Sequence, residues 1–397
     1  MVWKIEKMQP KERKILIQQK ATTLPRLLIF TVLLLFAGAS FGHVTAEPVK
    51  IGLIFARTGH AAKMCESSYR IARRAVKEIN QKGGLLGNKV RLIEYDNQST
   101  PLGARKAAIQ AAKNGVHAVI GAVYSSHSLA AADVLEKEKI PMISPIATHT
   151  DLTARGKYIF RVCYTDRFQG KVLADFAKEE FGASKAATLV NAGSLYSQGL
   201  ADYFTAEFKA DKGEVVQLDY QKNATDFTDQ LDTIKRLSPG VVFIPGHFRE
   251  SAFIIKQADA QGLDVPFIGG DGWVDKMYDY GGKSIHGNYY TTQWHKEIDR
   301  KKSRWFVRKH LAMYGDKPSN EPAMALTYDA VMVFARAVTN AGSLNRARIR
   351  ESLSNISDFK GVTGDITFNS RGDPVNKSAV ILKFENFRSV YHRTVQP

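Results

Sequence analysis

The sequence has few cysteines and lacks the short motifs that mark common catalytic sites. Only Cys65 and Cys163 occur among 397 residues, which excludes a framework of several disulfides and a cysteine-based zinc site. Whether the two cysteines pair stays open, because a bridge depends on their Cβ geometry. The chain has no H-E-x-x-H, no G-x-x-x-x-G-K-[ST] and, after its first predicted strand, no G-x-G-x-x-G. These absences argue against a zinc hydrolase, a P-loop protein and a dinucleotide-dependent enzyme, and we expect neither a metal nor a cofactor.

The chain also lacks an apolar run of the ~20 residues that are needed to cross a bilayer. Its longest run, "LLIFTVLLLFAGASFG" (27–42), follows a stretch rich in Lys and Arg and precedes "HVTAEPVKIG", in which Val44 and Ala46 form an A-x-A-like cleavage site. This order is typical of a secretory signal peptide. We therefore expect residues 1–46 to be removed near Ala46 and the mature protein to be exported from the cytoplasm.

Acidic residues are too few to balance the basic ones, and the formal net charge is +17. Without residues 1–46, 49 Lys/Arg face 37 Asp/Glu, which leaves +12. The basic residues are dispersed, as in "ARRAVKEINQKGG", and no run alternates with stacking aromatics. The pattern indicates a solvated basic surface and no nucleic-acid partner.

From Val49 onward, apolar strand-like runs alternate with amphipathic helical stretches. Unbroken apolar strands separated by helices predict an α/β fold with a parallel sheet that is covered on both faces. The alternation begins again after "TDLTARGKYIFRVCYTD" (150–166). The sequence therefore predicts two doubly wound parallel-sheet lobes with a ligand cleft at the carboxyl ends of their strands.

The stretch "VIGAVYSSHS" (119–128) runs from a predicted strand into three serines and a histidine. It lacks the G-x-S-x-G of a hydrolase elbow, and the adjacency of Ser126 and His127 does not make a nucleophile and base. A helix start after a parallel strand favours anion binding, so Ser125 and Ser126 are candidate donors to a carboxylate or phosphate. The alternative is that one serine, Ser126 or Ser128, only caps the helix.

Polar residues follow other predicted strands. "MISPIATHTDLT" places Ala147 and Thr148 after the neighbouring strand, and "FIGGDGW" places Asp271 and Trp273 at a strand end of the second lobe. A carboxylate there suits an ammonium group, and the indole can pack against a ligand side chain. Tyr196 and His247 follow other strands of the second lobe.

Several ordered segments resemble the type I periplasmic solute-binding proteins that bind leucine, isoleucine, valine and related amino acids for ABC importers. The resemblance covers 48–386, and the segments that carry it are "VKIGLIFARTG", "VIGAVYSSHS", "MISPIATHTDLTARG", "RVCYTDRFQG", "PFIGGDGW" and "GVTGDITFNSRGDP". It implies two lobes joined by three crossovers, near 166, 292 and 377. The first lobe would comprise 47–166 plus 293–376, and the second 167–292 plus 377–397.

The resemblance also assigns roles to single residues. Ser125 and Thr148, with the backbone of Ile146 and Ala147, would hold a ligand carboxylate. Asp271, where relatives often have Glu, would hold the ammonium group, and Tyr196 matches a cleft tyrosine. His247 and Met64 stand where a tyrosine is common, so an aliphatic, an aromatic and a polar amino acid all remain open.

These observations predict a periplasmic binding protein that captures an amino acid by closing two lobes over it. The resemblance implies a monomer that delivers the ligand to an ABC permease at the inner membrane and has no enzymatic activity. The alternatives are a binding protein for an amide, urea or aromatic acid, a sensor that engages a receptor, and a hydrolase acting on an ester or amide. The sequence leaves the solute open.

Overall fold

The computed structural model describes residues 47–313 and 321–397. The predicted signal peptide lies outside the described residues. Within the described ranges, no helix is long and apolar enough to cross a membrane.

A five-stranded parallel sheet, with strand order β2-β1-β3-β4-β5, forms the centre of the first half of the chain. Its central strand is fully buried at Ala118, Val119 and Ile120, because helices cover both faces. The strands are β1 (Val49–Phe55), β2 (Val90–Asp96), β3 (Ala118–Gly121), β4 (Met142–Ser144) and β5 (Ile159–Arg161).

Four helices connect these strands: α1 (Ala62–Gln81), α2 (Pro101–Lys113), α3 (Ser125–Lys137) and α4 (Asp151–Ala154). Local chemistry sets where they begin. In α2, for example, Thr100 Oγ1 accepts a hydrogen bond of 2.9 Å from the Gly103 N–H and Pro101 occupies the first helical position, both strong helix-start signals.

A seven-stranded sheet follows, with order β14-β13-β10-β9-β8-β6-β7. Its strands β6 to β9 pair in parallel, as predicted, and β10, a strand that sequence patterning missed, pairs in parallel with β9. The strands are β6 (Lys185–Asn191), β7 (Glu214–Tyr220), β8 (Val241–Ile244), β9 (Phe267–Gly269), β10 (Tyr289–Thr292), β13 (Ala379–Glu385) and β14 (Arg388–Val395). The interleaved helices are α5 (Asp166–Phe181), α6 (Leu195–Ala210), α7 (Thr228–Leu237), α8 (Phe248–Ala260) and α9 (Tyr278–Gly281).

The last two strands form an antiparallel hairpin at the edge of this sheet. Sequence patterning predicts a single closing strand (378–386), and the additional strand β14 was missed. Asn386 and Phe387 both have positive φ, 51° and 59°. Positive φ at both turn residues is the backbone geometry of a tight hairpin, but Asn-Phe is a weak sequence signal for it.

The segment between β10 and β13 returns to the first sheet. It contains helices α10 (Lys301–Lys309), α11 (Glu321–Ala341) and α12 (Arg346–Ser354) and the short strands β11 (Phe359–Lys360) and β12 (Asp365–Ile366). Phe306, Phe334 and Leu353 of these helices share one buried core with Ile51 and Leu53. We call the five-stranded sheet with its helices the first lobe, and the seven-stranded sheet with its helices the second lobe. The exact crossover residues stay a prediction.

Candidate functional site

The N-terminus of α3 lies directly beyond the carboxyl end of β3. Tyr124 is the residue before the helix and makes no side-chain capping bond. The N–H groups of His127 and Ser128 both donate to the Tyr124 carbonyl, at 3.1 and 2.9 Å. The N–H groups of Ser125 and Ser126 therefore have no acceptor within the helix. With the helix dipole, they provide a site suited to an anion.

No serine caps this helix through its side chain, so the capping alternative for Ser126 or Ser128 is wrong. Ser128 instead accepts a hydrogen bond at Oγ from the Ala122 N–H, at 3.1 Å, and this bond closes the loop between β3 and α3. Ser125 is buried, with 4% exposed, and its Oγ accepts a 3.4 Å bond from the N–H of His149. That bond connects the α3 N-terminus to the loop that follows β4.

A buried arginine shapes the loop after β4. Arg161 is fully buried, and its guanidinium donates to the carbonyls of Ala147 and His149, both at 2.9 Å. Its Nε lies 2.6 Å from Asp373 Oδ1. The charge is thus paired with a carboxylate, as a buried guanidinium requires. Thr148, 1% exposed, is held between the two bonded carbonyls.

Asp271 lies beyond β9, on the second lobe. Tyr196 Oη donates to Oδ1 at 2.8 Å, and Gln293 Nε2 donates to Oδ2 at 2.6 Å. Tyr196 Oη in turn accepts from the Gly272 N–H at 3.1 Å. Burial raises the pKa of Asp271, and these hydrogen bonds only partly offset it. Among the described residues no Lys, Arg or His forms an ion pair with this carboxylate, so a ligand cation would stabilise it.

A row of aromatic rings crosses from the first lobe to the second beside Asp271. Tyr124 lies 5.9 Å from His60 and 4.8 Å from His247, and His247 stacks on Tyr196 at 5.3 Å, all between ring centroids. His127 meets the edge of Tyr124 at 5.2 Å. We call His60, Tyr124, His247 and Tyr196 the aromatic row. Burial is the main cause that lowers the pKa of both His127 and His247 to about 4.

The two lobes are in contact in this structure. Besides the aromatic row, Thr150 Oγ1 and Tyr203 Oη, from opposite lobes, lie 3.1 Å apart. What remains between the lobes beside Asp271 is a cavity of about 50 Å³, which we call the clamp cavity. Its walls contain seven of the predicted site residues: Met64, Ser125, Ile146, Thr148, Tyr196, His247 and Asp271.

Three predicted site residues do not line the clamp cavity. Ser126 lies on α3 but outside the cavity wall. Ala147 is buried, and its N–H donates to Ser144 Oγ at 3.2 Å while its carbonyl accepts from Arg161. Trp273 is fully buried, stacks on Phe384 at 6.1 Å between ring centroids, and lines a second, adjoining cavity.

Sequence reasoning missed several residues that shape the site. Gln293 follows β10, at a strand end like the predicted residues, but that strand was not among those predicted from the sequence. Tyr124 directly precedes the predicted serines. Asp166 is fully buried, and its N–H donates to the Thr148 carbonyl at 3.0 Å. Burial raises the pKa of the Asp166 carboxyl to about 8, and no sequence pattern indicates that environment.

The geometry places groups of opposite character on facing lobes. The first lobe offers the hydroxyls of Ser125 and Thr148 and the first N–H groups of α3, and the second offers the carboxylate of Asp271. Such an arrangement suits a small zwitterion, whose two charges form hydrogen bonds with ionised partners. Among the described residues no group of three or more His, Cys, Asp and Glu could hold a metal ion.

Comparisons with known proteins agree with this architecture. The Leu/Ile/Val-binding protein homolog 3 of Brucella melitensis is 29% identical over 89% of this chain and 95% of its own length. The Leu/Ile/Val-binding protein BraC3 of Rhizobium johnstonii is 30% identical over 88% of this chain and 95% of its own length.

Solved structures are similar over the same range. The leucine-binding protein LivK of Thermotoga maritima superimposes with a TM-score of 0.82 at 31% identity, covering 88% of this chain and 99% of that one. The substrate-binding protein LivJ of Streptococcus pneumoniae, in complex with isoleucine, has a TM-score of 0.81 at 29% identity and covers 88% and 100%. The family model described as periplasmic binding protein matches residues 48–386. The chain therefore belongs to the periplasmic binding protein family.

Proposed function

We propose that this protein is the extracytoplasmic substrate-binding protein of an ABC importer and that it captures an α-amino acid. Ser125 and Thr148 of the first lobe, with the first N–H groups of α3, hold the ligand carboxylate. Asp271 of the second lobe holds the ammonium group. The protein delivers its closed, liganded form to a permease at the membrane.

The single observation that carries this proposal is the shared cavity of Ser125, Thr148 and Asp271. The donors and the carboxylate belong to different lobes, so one zwitterion contacts both only when the cleft is closed. Binding then favours the closed form by population shift. Because closure removes water, each charged contact is stronger than an exposed ion pair.

The relatives support the ligand class. The names of those most similar to this chain refer to the binding of leucine, isoleucine and valine, and the LivJ structure contains isoleucine. The predicted signal peptide and the family support a location outside the cytoplasm. The predicted monomer is part of the same proposal, as is delivery to a permease rather than to a receptor.

A ligand screen tests the proposal. Residues 47–397 are mixed with the common amino acids, small amides, urea and aromatic acids, and the unfolding temperature is measured. A ligand at 100 times its Kd adds about 2.7 kcal/mol to the free energy of unfolding. We expect the unfolding temperature to rise only with α-amino acids. A rise confined to amides, urea or aromatic acids would retain a binding role and reject the assignment of Asp271.

A further inference from the structure

A second cavity of about 260 Å³ adjoins the clamp cavity. The two share Ile146, Asp271 and Val274 as wall residues. We call the second cavity the annex. It extends from Asp271 along Trp273 and Lys276 of the second lobe, toward Pro322 at the start of α11. A molecule held at Asp271 therefore has space to continue in this direction.

The clamp cavity is the smaller of the two, with about 50 Å³ against about 260 Å³ in the annex. The contact of Tyr124 with His247, at 4.8 Å between ring centroids, occupies the space on the other side. The annex is about five times larger, and it is the direction in which a ligand side chain can lie without separating these rings.

Most acidic side chains of the annex wall already form hydrogen bonds or ion pairs within the protein. Asp275 Oδ1 accepts hydrogen bonds from the N–H and the hydroxyl of Ser389. Glu321 lies 3.4 Å from Lys296 Nζ and forms an ion pair with it. Glu297, the other acid of this wall besides Asp271, is exposed to solvent. Among the described residues, neither Asp275 nor Glu297 forms an ion pair with the remaining cations of the wall.

Two basic side chains of the annex, Lys276 and Arg388, form no salt bridge with an acid of the described residues. Lys276 is half-buried in the wall, and Arg388 lies at its exposed rim. Burial, followed by the charge of Lys63 on the first lobe, lowers the pKa of Lys276, and the exposed carboxylate of Asp279 only partly offsets this. A half-buried ammonium group without a salt bridge is costly, and an anion placed in the annex would stabilise it.

We propose that the annex receives the side chain of the ligand and that this side chain ends in a carboxylate near Lys276 and Arg388. The inference rests on the proposed function, because Asp271 and Ser125 still hold the α-amino and α-carboxylate groups. It narrows the ligand to an acidic α-amino acid that is longer than a branched-chain one, such as glutamate or 2-aminoadipate.

Calorimetry with matched ligands tests this inference. L-glutamate and L-glutamine have nearly the same shape and differ in the charge of the side chain. We expect glutamate or 2-aminoadipate to bind at least 10-fold more tightly than glutamine and leucine. Lys276→Gln should reduce that preference to less than 3-fold, whereas Lys283→Gln, an exposed lysine of the same lobe outside the annex, should preserve it. Arg388→Gln provides a second variant should Lys276→Gln fail to fold.

The possible outcomes separate the two proposals. Tight binding of leucine or isoleucine without a preference for acidic ligands would overturn the annex inference and leave the proposed function intact. A preference for glutamate that both Lys276→Gln and Arg388→Gln retain would also overturn it. Failure of every α-amino acid to bind would overturn the proposed function itself.

Discussion

The two lobes differ in charge and in what they offer to a ligand. With the predicted boundaries, the first lobe has 32 Lys/Arg and 19 Asp/Glu, while the second has 17 and 18. Yet the proposed anion site of the basic lobe consists of the Ser125 and Thr148 hydroxyls and the first N–H groups of α3, and the buried Arg161 of this lobe is already paired with Asp373. The nearly neutral lobe provides the unpaired carboxylate, Asp271.

The difference teaches that the overall charge of a lobe does not determine its ligand contacts. Neutral hydroxyl and N–H donors can stay in an empty cleft, because burying them costs little free energy of desolvation. A buried guanidinium without a partner has a much larger one. The surplus of basic residues is therefore on the surface. Arg161 supports the loop after β4 through hydrogen bonds and does not line the clamp cavity.

The largest effect on stability should come from removing the Arg161 side chain, which supports the loop after β4. Arg161→Met leaves Asp373 and the carbonyls of Ala147 and His149 without their partner, and breaking a buried ion pair costs about 3–5 kcal/mol. Denaturant unfolding should show this loss in the free energy of unfolding. Arg155→Met, an exposed arginine that faces Asp133 at 3.4 Å, should change it by less than about 1 kcal/mol. Equal losses in the two variants would contradict the role assigned to Arg161.

The second-largest effect concerns the carboxylate of the second lobe. Asp271→Asn retains the shape but removes the charge that faces the ligand ammonium group. Loss of one partner of a buried, hydrogen-bonded charge pair costs about 2–5 kcal/mol, so the amino-acid Kd should rise at least 30-fold in calorimetry. Asp264→Asn, exposed on the same lobe and outside both cavities, is the matched control. An unchanged Kd for Asp271→Asn would refute its assignment to the ammonium group.

A third prediction concerns pH and the histidines beside Tyr124. The pKa of His127 is about 4 in the folded protein, below its ordinary value of 6.5. The unfolded chain therefore binds a proton at higher pH than the folded one, and stability falls as pH decreases from 6.5 to 4. Between pH 7 and pH 5 the parent should lose about 2 kcal/mol more than His127→Gln. Parallel stability curves for the two proteins would show that His127 does not titrate in this way.

The smallest effect should separate the two serines that open α3. Ser125→Ala removes a buried hydroxyl that faces the ligand carboxylate, and a hydrogen bond to a charged group contributes about 1.5–3 kcal/mol. The Kd should rise at least 10-fold. Ser126→Ala should leave the Kd within about 2-fold, because this side chain lies outside the clamp cavity. Equal changes in Kd for the two variants would contradict the assignment of Ser125 to the ligand carboxylate.

Much of the site could be predicted from the sequence, because its residues directly follow strands that the local apolar pattern predicts. Ser125, Thr148 and Asp271 each follow a predicted parallel strand, and such strand ends lie at one edge of a sheet. Gln293 obeys the same rule after β10, a strand that sequence patterning missed. The interior position of Trp273 could not be read this way, because its burial depends on contacts with Phe384 and Tyr290, of which Phe384 is more than 100 residues away.

By itself the sequence determined the alternating α/β pattern, the two lobes and the family, because apolar periodicity and strand-end residues are local properties. Only the tertiary structure decided the pairing of Arg161 with Asp373, the aromatic row across the cleft, the antiparallel edge of the second sheet and the annex beside Lys276. Each of these depends on packing between segments that are distant in the chain, and packing is what sets burial, pKa and the space left for a ligand.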